Sequence, residues 1–572
     1  MDMIEKSKIK NQKSRIYSLL ILIIIISIAA FFRLWQLDSI PPGLYPDEAI
    51  NGNEALSNPG KIFYPENNGR EGLFINLLRL SFNVFGPSIW AIRLVPAIIG
   101  ILTVFGLYFL TKELFQTSSS TFQIWRYIAL LASFFLAVSF WHINFSRIAF
   151  RAILGPFILT FSFYFLFKGF RTKKIFNFII SGIIFGLGFY TYTPLRLAVL
   201  ILPFVFGPYW FLDKKQNLQK KFLLSTLSFL LSTFIIALPL GLYFFWQPQY
   251  FVARAAGISV FAQENPIGAF AESLMRHLAM FNFSGDFNWR HNFSGSPMLL
   301  WPIGILFLIG FFSAIKELFI KKKVHFHHEK GSFRKIPISY LTLVSWFFIM
   351  LLPGILTFEG IPHALRVIGV VPVVYIFAAF GGWQVYHFFD KNWGNPVRNT
   401  LSNRAGKKLL IFATILFLLS VGFVQFDKYF QKWAKLPETK NAFSYDFVAM
   451  GKYLNSLPPD IEKYVIVNLP GVPVPYPEGI PMPAQTIMFI ENTAKIAQRA
   501  IYLLPRDLEK IIIEREAIIL PIREDSDLFI KLGEKFPEGK LEKKEGFWIY
   551  RVNSKFKIQN ALNCEAITRS EE

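Results

Sequence analysis

The sequence predicts an all-α polytopic membrane bundle with a small soluble α/β domain at its C-terminal end. Of 572 residues, 53% are hydrophobic and only 17% are charged, whereas a water-soluble chain has about 25% charged residues. A helix needs about 20 consecutive, mainly apolar residues to cross a bilayer. Eleven runs approach that length, near 16–34, 90–110, 126–145, 152–170, 175–193, 197–212, 222–246, 297–319, 337–357, 367–389 and 408–425.

The distribution of basic residues predicts how this bundle is oriented. If Met1 is cytoplasmic, the connections on that side hold 27 lysines and arginines in 87 residues. The opposite connections hold only 12 in about 140 residues, which is the positive-inside pattern. The same asymmetry explains the net charge of +22 without nucleic acid as a partner. The pattern places the N-terminus in the cytoplasm and the C-terminal region outside. One cysteine, Cys564, and no retention signal favour a prokaryotic plasma (inner) membrane.

Composition changes near residue 426, which divides the chain into an expected transmembrane domain (1–425) and an extracytoplasmic α/β domain (426–572). Beyond 426, spanning runs stop, charged residues become frequent and short strand-like runs alternate with helix-like ones. Within the membrane part, the outer loops 34–89 and 247–296 are long enough to carry function. The strand-like runs are 464–469, 517–520 and 546–552, and the helix-like runs are 445–457 and 507–515.

The sharpest motif is an acidic segment, PPGLYPDEA at 41–49, directly after the first apolar run. Its prolines and glycine predict a rigid, non-helical exit from the membrane, which would hold Asp47 and Glu48 at the water–membrane boundary. A carboxylate placed there can act as a general base that takes a proton from an acceptor hydroxyl or amine. The alternative is that both acids simply begin an interfacial helix, because acidic residues are favoured at helix N-termini.

Several segments together resemble the GT-C superfamily of membrane glycosyltransferases, and more narrowly its protein O-mannosyltransferase and aminoarabinose transferase (glycosyltransferase family 39-like) branch. They are Arg33-Leu34, the acidic segment, GREGLF at 69–74 and FGPSIWAIRLVPAIIG at 85–100. The resemblance implies that Asp47 is the catalytic base with Glu48 as its neighbour. It also implies amphipathic helices on the membrane and a sugar donor carried on polyprenyl phosphate.

The resemblance has one departure, at the segment that follows the acidic motif. Aminoarabinose transferases carry Lys-Pro-Pro-Leu where this chain has Arg70-Glu71-Gly72-Leu73. Arg70 therefore falls at the position of the lysine that contacts the donor phosphate, and a guanidinium is chemically able to do that. The missing prolines leave the local backbone, and with it the donor, open.

Further polar side chains on the outer face are candidates for binding the donor phosphate or the substrate. Basic residues there can neutralise a phosphate leaving group, and polar residues mixed with aromatic ones suit sugar binding. The alternative for each arginine is that it reaches from a helix end to the lipid headgroups. With Arg70 and Glu71, the candidates are His142, Arg147, Arg151, Tyr192, Arg196, Asp286, Arg290, His363 and Arg366.

These observations predict an enzyme, a glycosyltransferase that moves a hexose or pentose from a polyprenyl-phosphate donor to an extracytoplasmic protein, lipid or glycan. No cofactor is required and no set of metal ligands is predicted, although a divalent cation could bind near Asp47 and Glu48, as in some relatives. The alternative is a transporter or flippase of lipid-linked saccharides. Transporters usually carry ionisable residues in mid-helix and internal repeats. The predicted helices are almost free of central charges and the sequence shows no repeat, which favours the enzyme.

Overall fold

A computed structural model describes residues 2–115, 122–215, 219–252, 257–319, 323–324, 333–334, 338–393, 401–475, 478–494 and 498–553. Over these ranges the chain is mainly helical, and its one large sheet lies in the C-terminal part. The helices, α1 to α20 in chain order, are Asp2–Leu34, Pro46–Ser57, Leu73–Phe85, Ile89–Phe115, Phe122–Val138, Phe140–Phe145, Leu154–Thr172, Ile175–Leu187, Leu202–Lys215, Gln219–Trp246, Gln249–Val252, Pro266–Ala279, Trp301–Phe319, Ile338–Ile355, Val371–Trp393, Leu401–Phe426, Pro437–Ala442, Tyr445–Ser456, Gln485–Asn492 and Ser526–Lys535. The strands, β1 to β11, are Phe63–Tyr64, Arg70–Glu71, Lys323–Val324, Phe333–Arg334, Glu462–Ile466, Pro473–Pro475, Glu478–Pro481, Ile501–Leu503, Ala517–Pro521, Lys540–Lys544 and Phe547–Val552.

Nine helical segments of the described chain are long and apolar enough to cross a membrane. Each coincides with one of the eleven predicted runs, so the prediction of a multi-pass integral membrane protein is confirmed. Their bounds are Ile16–Leu34, Ile89–Phe115, Arg151–Thr172, Thr193–Phe211, Gln219–Trp246, Trp301–Phe319, Ile338–Ile355, Ile368–Asp390 and Lys408–Lys435.

The other two predicted runs form apolar helices that are shorter than expected. The run 126–145 stops at Val138, because Ser139 leaves the helical conformation and its hydroxyl accepts a hydrogen bond from the backbone N–H of His142. The run 175–193 is α-helical only to Leu187 and ends in a 3₁₀ turn. Both α-helices therefore end before the candidate site residues His142 and Tyr192.

The first outer loop, 34–89, folds into two helices and a small hairpin. Helix α2 begins at Pro46, whose fixed φ suits the first helical position and whose missing N–H is not needed there. Strands β1 and β2 pair antiparallel. Helix α3 is amphipathic, as the resemblance implies for helices lying on the membrane. Its exposed apolar side chains are Leu80, Val84 and Phe85.

The C-terminal part is an α/β unit, as predicted, and it is built on a five-stranded mixed sheet. The strand order is β10-β11-β9-β5-β8, with β5 parallel to β8 and β9 and with β11 antiparallel to β9 and β10. Alternate side chains of the central strands point to opposite faces, which gives the sheet two apolar cores. Val465 and Ile518 pack with α18 and α19 on one face, and Ile466 and Ile519 pack with α20 on the other.

Two predicted boundaries in this region differ from the structure. The helix expected at 507–515 is only a short 3₁₀ helix, Pro505–Lys510, and the isoleucine-rich chain after it is not helical. The β-branched residues there disfavour continued helix. In addition, α16 does not end at 425: it continues as one π-helical segment, Asp427–Lys432, and a 3₁₀ turn, Trp433–Lys435, into the C-terminal unit.

Candidate active site

Asp47 lies half-buried in the first turn of α2. Its Oδ1 accepts a hydrogen bond from Nδ2 of Asn67 at 2.8 Å. Asn67 lies in the turn between β1 and β2 with φ of 49°, a left-handed conformation that asparagine adopts more readily than most residues. Within the described part of the chain, no lysine or arginine forms an ion pair with Asp47. Asp47 is therefore held by a neutral hydrogen-bond donor and not by a cation.

Glu48, the neighbouring acid, is fully buried, and both of its carboxylate oxygens have partners within the protein. It forms an ion pair with Arg93, whose Nη2 lies 3.2 Å from Oε1, and its Oε2 accepts the backbone N–H of Ala149 at 2.8 Å. Arg93 also donates to two carbonyls of the PPG segment. Removing one partner of such a buried pair costs about 3–5 kcal/mol. Glu48 thus stabilises the fold of the motif, which argues against its predicted catalytic role, whereas Asp47 has no ionic partner among the described residues.

Arg70 braces the hairpin against α2. Its Nη2 lies 2.7 Å from Oε1 of Glu54, its Nη1 donates to Asn51 at 2.9 Å, and its Nε donates to the carbonyl of Glu66. Burial raises the pKa of Glu54, and Arg70 opposes that rise. All three nitrogens of Arg70 are engaged in a buried setting, so the structure argues against the direct phosphate contact that the resemblance implied.

Glu71 brings together three other predicted residues. Its buried carboxylate is shared by two arginines: Oε2 lies 3.0 Å from Nε of Arg151, and Oε1 lies 3.1 Å from Nη2 of Arg196. Oε1 also accepts from the hydroxyl of Thr193, and the Arg151 guanidinium lies 5.5 Å from the ring centre of Tyr192. The arginine side chains are 20% and 15% exposed. This Glu71 cluster (Glu71, Arg151, Tyr192 and Arg196) carries a formal surplus of one positive charge.

His142 and Arg147 both form hydrogen bonds with residues at or just after the end of α1. Arg147 is fully buried and donates hydrogen bonds to one backbone carbonyl in the last turn of α1 and to three carbonyls of the chain that follows it. His142 is also fully buried, with Nδ1 2.8 Å from Nη2 of Arg33. Both placements argue against the predicted contact with donor or substrate. The carbonyls that accept from Arg147 belong to Phe32, Trp35, Gln36 and Ile40.

Arg290 connects the second long outer loop to the acidic motif. Its guanidinium carbon lies 3.9 Å from the ring centre of Tyr45, the residue that precedes α2. Its backbone carbonyl accepts from Nδ2 of Asn144 at 2.6 Å. Its Nε is buried without a hydrogen-bond partner among the described residues. Since stacking on a ring leaves the in-plane donors free, Arg290 is a further cation beside Tyr45, two residues before Asp47 in the chain.

Asp286, His291 and His363 converge on one point, with one potential ligand atom of each lying within 4.8 Å of the others. Oδ2 of Asp286 accepts from Nδ1 of His291 at 2.9 Å and from the backbone N–H of Ala364 at 2.7 Å. Nδ1 of His363 is buried without a partner in the described chain. Burial, and then the charges of His291 and Arg366, hold the pKa of His363 well below 6.5. A neutral imidazole with a free nitrogen beside a carboxylate fits a divalent cation.

Arg366 contacts only nearby residues of its own loop among the partners described for it. It forms an ion pair with Glu359 at 2.7 Å and donates to the carbonyl of Glu359 and to the hydroxyl of Thr357. The structure thus gives Arg366 a local role, which argues against the predicted role in binding substrate.

Three residues that contact the candidate acids were not identified from the sequence. They are Arg93, Asn67 and His291, which contact Glu48, Asp47 and Asp286. Arg93 had a usable signal, because a lone charge at the start of an apolar run predicts a buried partner. His291 follows Asp286 by five residues in the second long outer loop, which was expected to carry function. Asn67 had no signal, since its contact with Asp47 depends on how the hairpin turns.

Comparisons with known proteins agree with this fold. Residues 73–241 match the family model for dolichyl-phosphate-mannose-protein mannosyltransferase, a match that begins after the acidic motif. ArnT from Cupriavidus metallidurans in the apo state has a similar structure, with a TM-score of 0.50 and 11% identity over 92% of this chain and 97% of that one. A search of curated proteins gives no significant match. The predicted fold class is confirmed, and the family model supports the resemblance to membrane mannosyltransferases over residues 73–241.

Two further solved structures are similar at lower scores. ArnT from the same organism bound to undecaprenyl phosphate gives a TM-score of 0.47 and 12% identity, over 92% of this chain and 97% of that one. The arabinofuranosyltransferase AftD from Mycobacteria gives 0.41 and 12%, over 93% of this chain and 38% of that one.

Proposed function

We propose that the protein is a glycosyltransferase that takes a sugar from a polyprenyl-phosphate donor and passes it to an acceptor outside the membrane. One observation carries the proposal: Glu48, Glu54 and Glu71 are each paired with arginine, whereas Asp47 accepts a hydrogen bond from the neutral amide of Asn67. The match of residues 73–241 to the family model for dolichyl-phosphate-mannose-protein mannosyltransferase supports this donor class, because dolichyl phosphate is a polyisoprenyl phosphate.

In this reaction the acceptor oxygen or nitrogen forms a bond to the anomeric carbon of the sugar. The bond between that carbon and the phosphate oxygen breaks at the same time, and its electron pair stays on the phosphate. Asp47 takes the proton that the acceptor loses. The lipid phosphodiester therefore becomes a monoester with one more negative charge, and this charge is what the site must stabilise.

The Glu71 cluster and Arg290 are suited to stabilise that charge. Arg151 and Arg196 are partly exposed and share one carboxylate, and Arg290 has an unpartnered Nε beside the helix of Asp47. Arginine binds phosphate oxygens with paired donors and keeps its charge at any physiological pH. This arrangement needs no metal for the transfer step. With the positive-inside orientation, the site faces the outside of a plasma membrane.

A transfer assay separates this function from that of a flippase. The purified full-length protein is placed in proteoliposomes with polyprenyl-phosphate sugars whose sugar is radiolabelled, together with a membrane extract as acceptor. We expect the label to leave the donor lipid and appear in protein, lipid or glycan. If the label stays on the donor while that donor crosses the bilayer, the protein is a flippase and the glycosyltransferase proposal fails.

A divalent cation is proposed to bind Asp286, His291 and His363, where it would join the second long outer loop to the loop before α15. Such binding stabilises the folded protein, by about 2.7 kcal/mol at a free concentration one hundred times Kd. We therefore expect zinc to raise the Tm of metal-stripped wild-type protein and to leave that of His363→Ala unchanged. An equal rise in both proteins would show that the cation binds elsewhere.

A further inference from the structure

Helix α2, which carries Asp47, is held between two parts of the molecule. One face contacts the hairpin and the membrane-spanning part, and the other contacts the C-terminal α/β unit. The residues facing the former are Glu48, Asn51 and Glu54, through Arg93, Ala149 and Arg70. The residues facing the latter are Ile50, Gly52 and Asn53, through Val474, Met482, Gln485, Phe489 and Asn492.

Asn53 uses both ends of its amide to bind α19. Its Nδ2 donates to the side-chain oxygen of Gln485 at 2.8 Å and to the backbone carbonyl of the same residue at 3.1 Å. Its Oδ1 accepts from Nδ2 of Asn492 at 2.8 Å. These hydrogen bonds bind Asn53 to both ends of α19, because Gln485 and Asn492 are the first and last residues of that helix. A rotation of α2 about its axis would break all three hydrogen bonds.

Close packing reinforces the hydrogen bonds. A Cβ added at Gly52 would lie 2.5 Å from the ring of Phe489, which is fully buried, so the two helices touch at the backbone of α2. Just before α2, the carbonyl of Leu44 accepts from the buried hydroxyl of Thr486 at 2.9 Å. At Gly43, an added Cβ would lie 2.3 Å from the carbonyl oxygen of Phe443. The C-terminal unit therefore fixes both the rotation of α2 and the chain that leads into it.

We propose that α19 is a positioning element of the active site, which holds α2 so that the carboxylate of Asp47 meets the acceptor. The C-terminal unit thus takes part in catalysis through Asn53, Gln485 and Asn492, without contacting the substrate. This inference rests on the proposed function, because it assigns α19 to the orientation of the proposed base. Misplacement of a reacting group by about 1 Å can slow a reaction about 10²-fold.

The contact between α2 and α19 is separate from the residues proposed to bind the donor phosphate. The Glu71 cluster is built from β2, the chain before α7 and the chain before α9, and the contacts described for it do not include α19. Weakening the contact between α2 and α19 should therefore lower kcat and leave KM for the donor nearly unchanged. A merely structural role of α19 would lower the amount of folded protein but not the kcat of the folded fraction.

The test compares three asparagine-to-alanine variants of the full-length protein. Asn53→Ala removes three hydrogen bonds and Asn492→Ala removes one of the same set. Asn468→Ala is the matched control, because Asn468 also makes three hydrogen bonds, to Arg523 and Asp525, within the C-terminal unit. We expect Asn53→Ala to lower kcat at least tenfold, Asn492→Ala by less, and Asn468→Ala by less than twofold. Donor KM should stay within twofold in all three.

Hydrogen exchange of α2 provides a readout that does not depend on activity. We expect the amides of α2 to exchange faster in Asn53→Ala and Asn492→Ala than in wild type and in Asn468→Ala. An unchanged kcat together with unchanged exchange would overturn the proposal, as would a raised donor KM with unchanged kcat. If the wild type transfers no sugar, the proposed function fails, and exchange alone then shows whether α19 holds α2.

Discussion

Asp47→Asn is expected to reduce sugar transfer by about 10² to 10⁴-fold, the range that a general base contributes. The new amide has the size of the carboxylate but cannot take a proton from the acceptor. Because Asp47 makes no ion pair in the described structure, the substitution should leave Tm nearly unchanged. The measurement is initial transfer rate from a radiolabelled polyprenyl-phosphate sugar, with Tm measured on the same preparation.

Asp38→Asn is the matched control for this variant, because Asp38 is an exposed acid of the same loop. It should transfer sugar at the wild-type rate. Glu48→Gln gives the opposite pattern to Asp47→Asn: it leaves Arg93 buried without its counter-charge, so its first effect is a loss of stability. If Asp47→Asn transferred as fast as wild type, Asp47 would only begin α2, and the base would have to be sought elsewhere.

The sequence predicted the fold well because the signals for it are local. Run length identified the nine long apolar helices of the described chain, and short strand-like runs in a more highly charged region identified the strands near 464, 517 and 546. The errors fall where a single polar residue or a β-branched run decides a helix end. Ser139 stops one helix early, and the isoleucines after Lys510 prevent another.

The geometry of the candidate site could not be predicted, because the sequence does not show which side-chain donors form hydrogen bonds within the fold. Arg70, Arg147 and Arg151 look alike in the sequence, each an outer-face arginine near a helix end. In the structure, the guanidinium nitrogens of Arg70 and Arg147 all donate hydrogen bonds to acceptors within the protein. Arg151, in contrast, shares the carboxylate of Glu71 with Arg196 and stays partly exposed. That difference depends on contacts between residues up to 125 positions apart.

The C-terminal unit shows the same limit at longer range. The sequence indicated a soluble α/β unit on the outer face. The contact of Asn53 with Gln485, 432 positions along the chain, has no local signal. Helix α19 itself was not predicted, because its eight residues follow a proline-rich segment.

Loss of either arginine of the Glu71 cluster is expected to lower kcat/KM for the donor about 10²-fold, the effect of removing one preorganised donor to a developing oxyanion. Arg151→Gln and Arg196→Gln each reduce the charge of the cluster from +1 to zero, so the departing phosphate loses its counter-charge. Arg276→Gln is the matched control, since Arg276 is an exposed outer-face arginine that pairs with Glu272 one helical turn away. It should change kcat/KM by less than about twofold.

Charge restoration shows whether the cluster acts on phosphate or only braces the fold. Arg151→Gln combined with Glu71→Gln leaves Arg196 unpaired and returns the cluster to +1. If phosphate is the ligand, kcat/KM for the donor should be about tenfold higher in the double variant than in Arg151→Gln. That difference should shrink as ionic strength rises, because salt screens the partly exposed guanidinium. If the ion pairs only hold β2 against the chain before α7, removing Glu71 deepens the defect. A double variant slower than Arg151→Gln would therefore assign the cluster to folding and leave Arg290 as the cation for the donor.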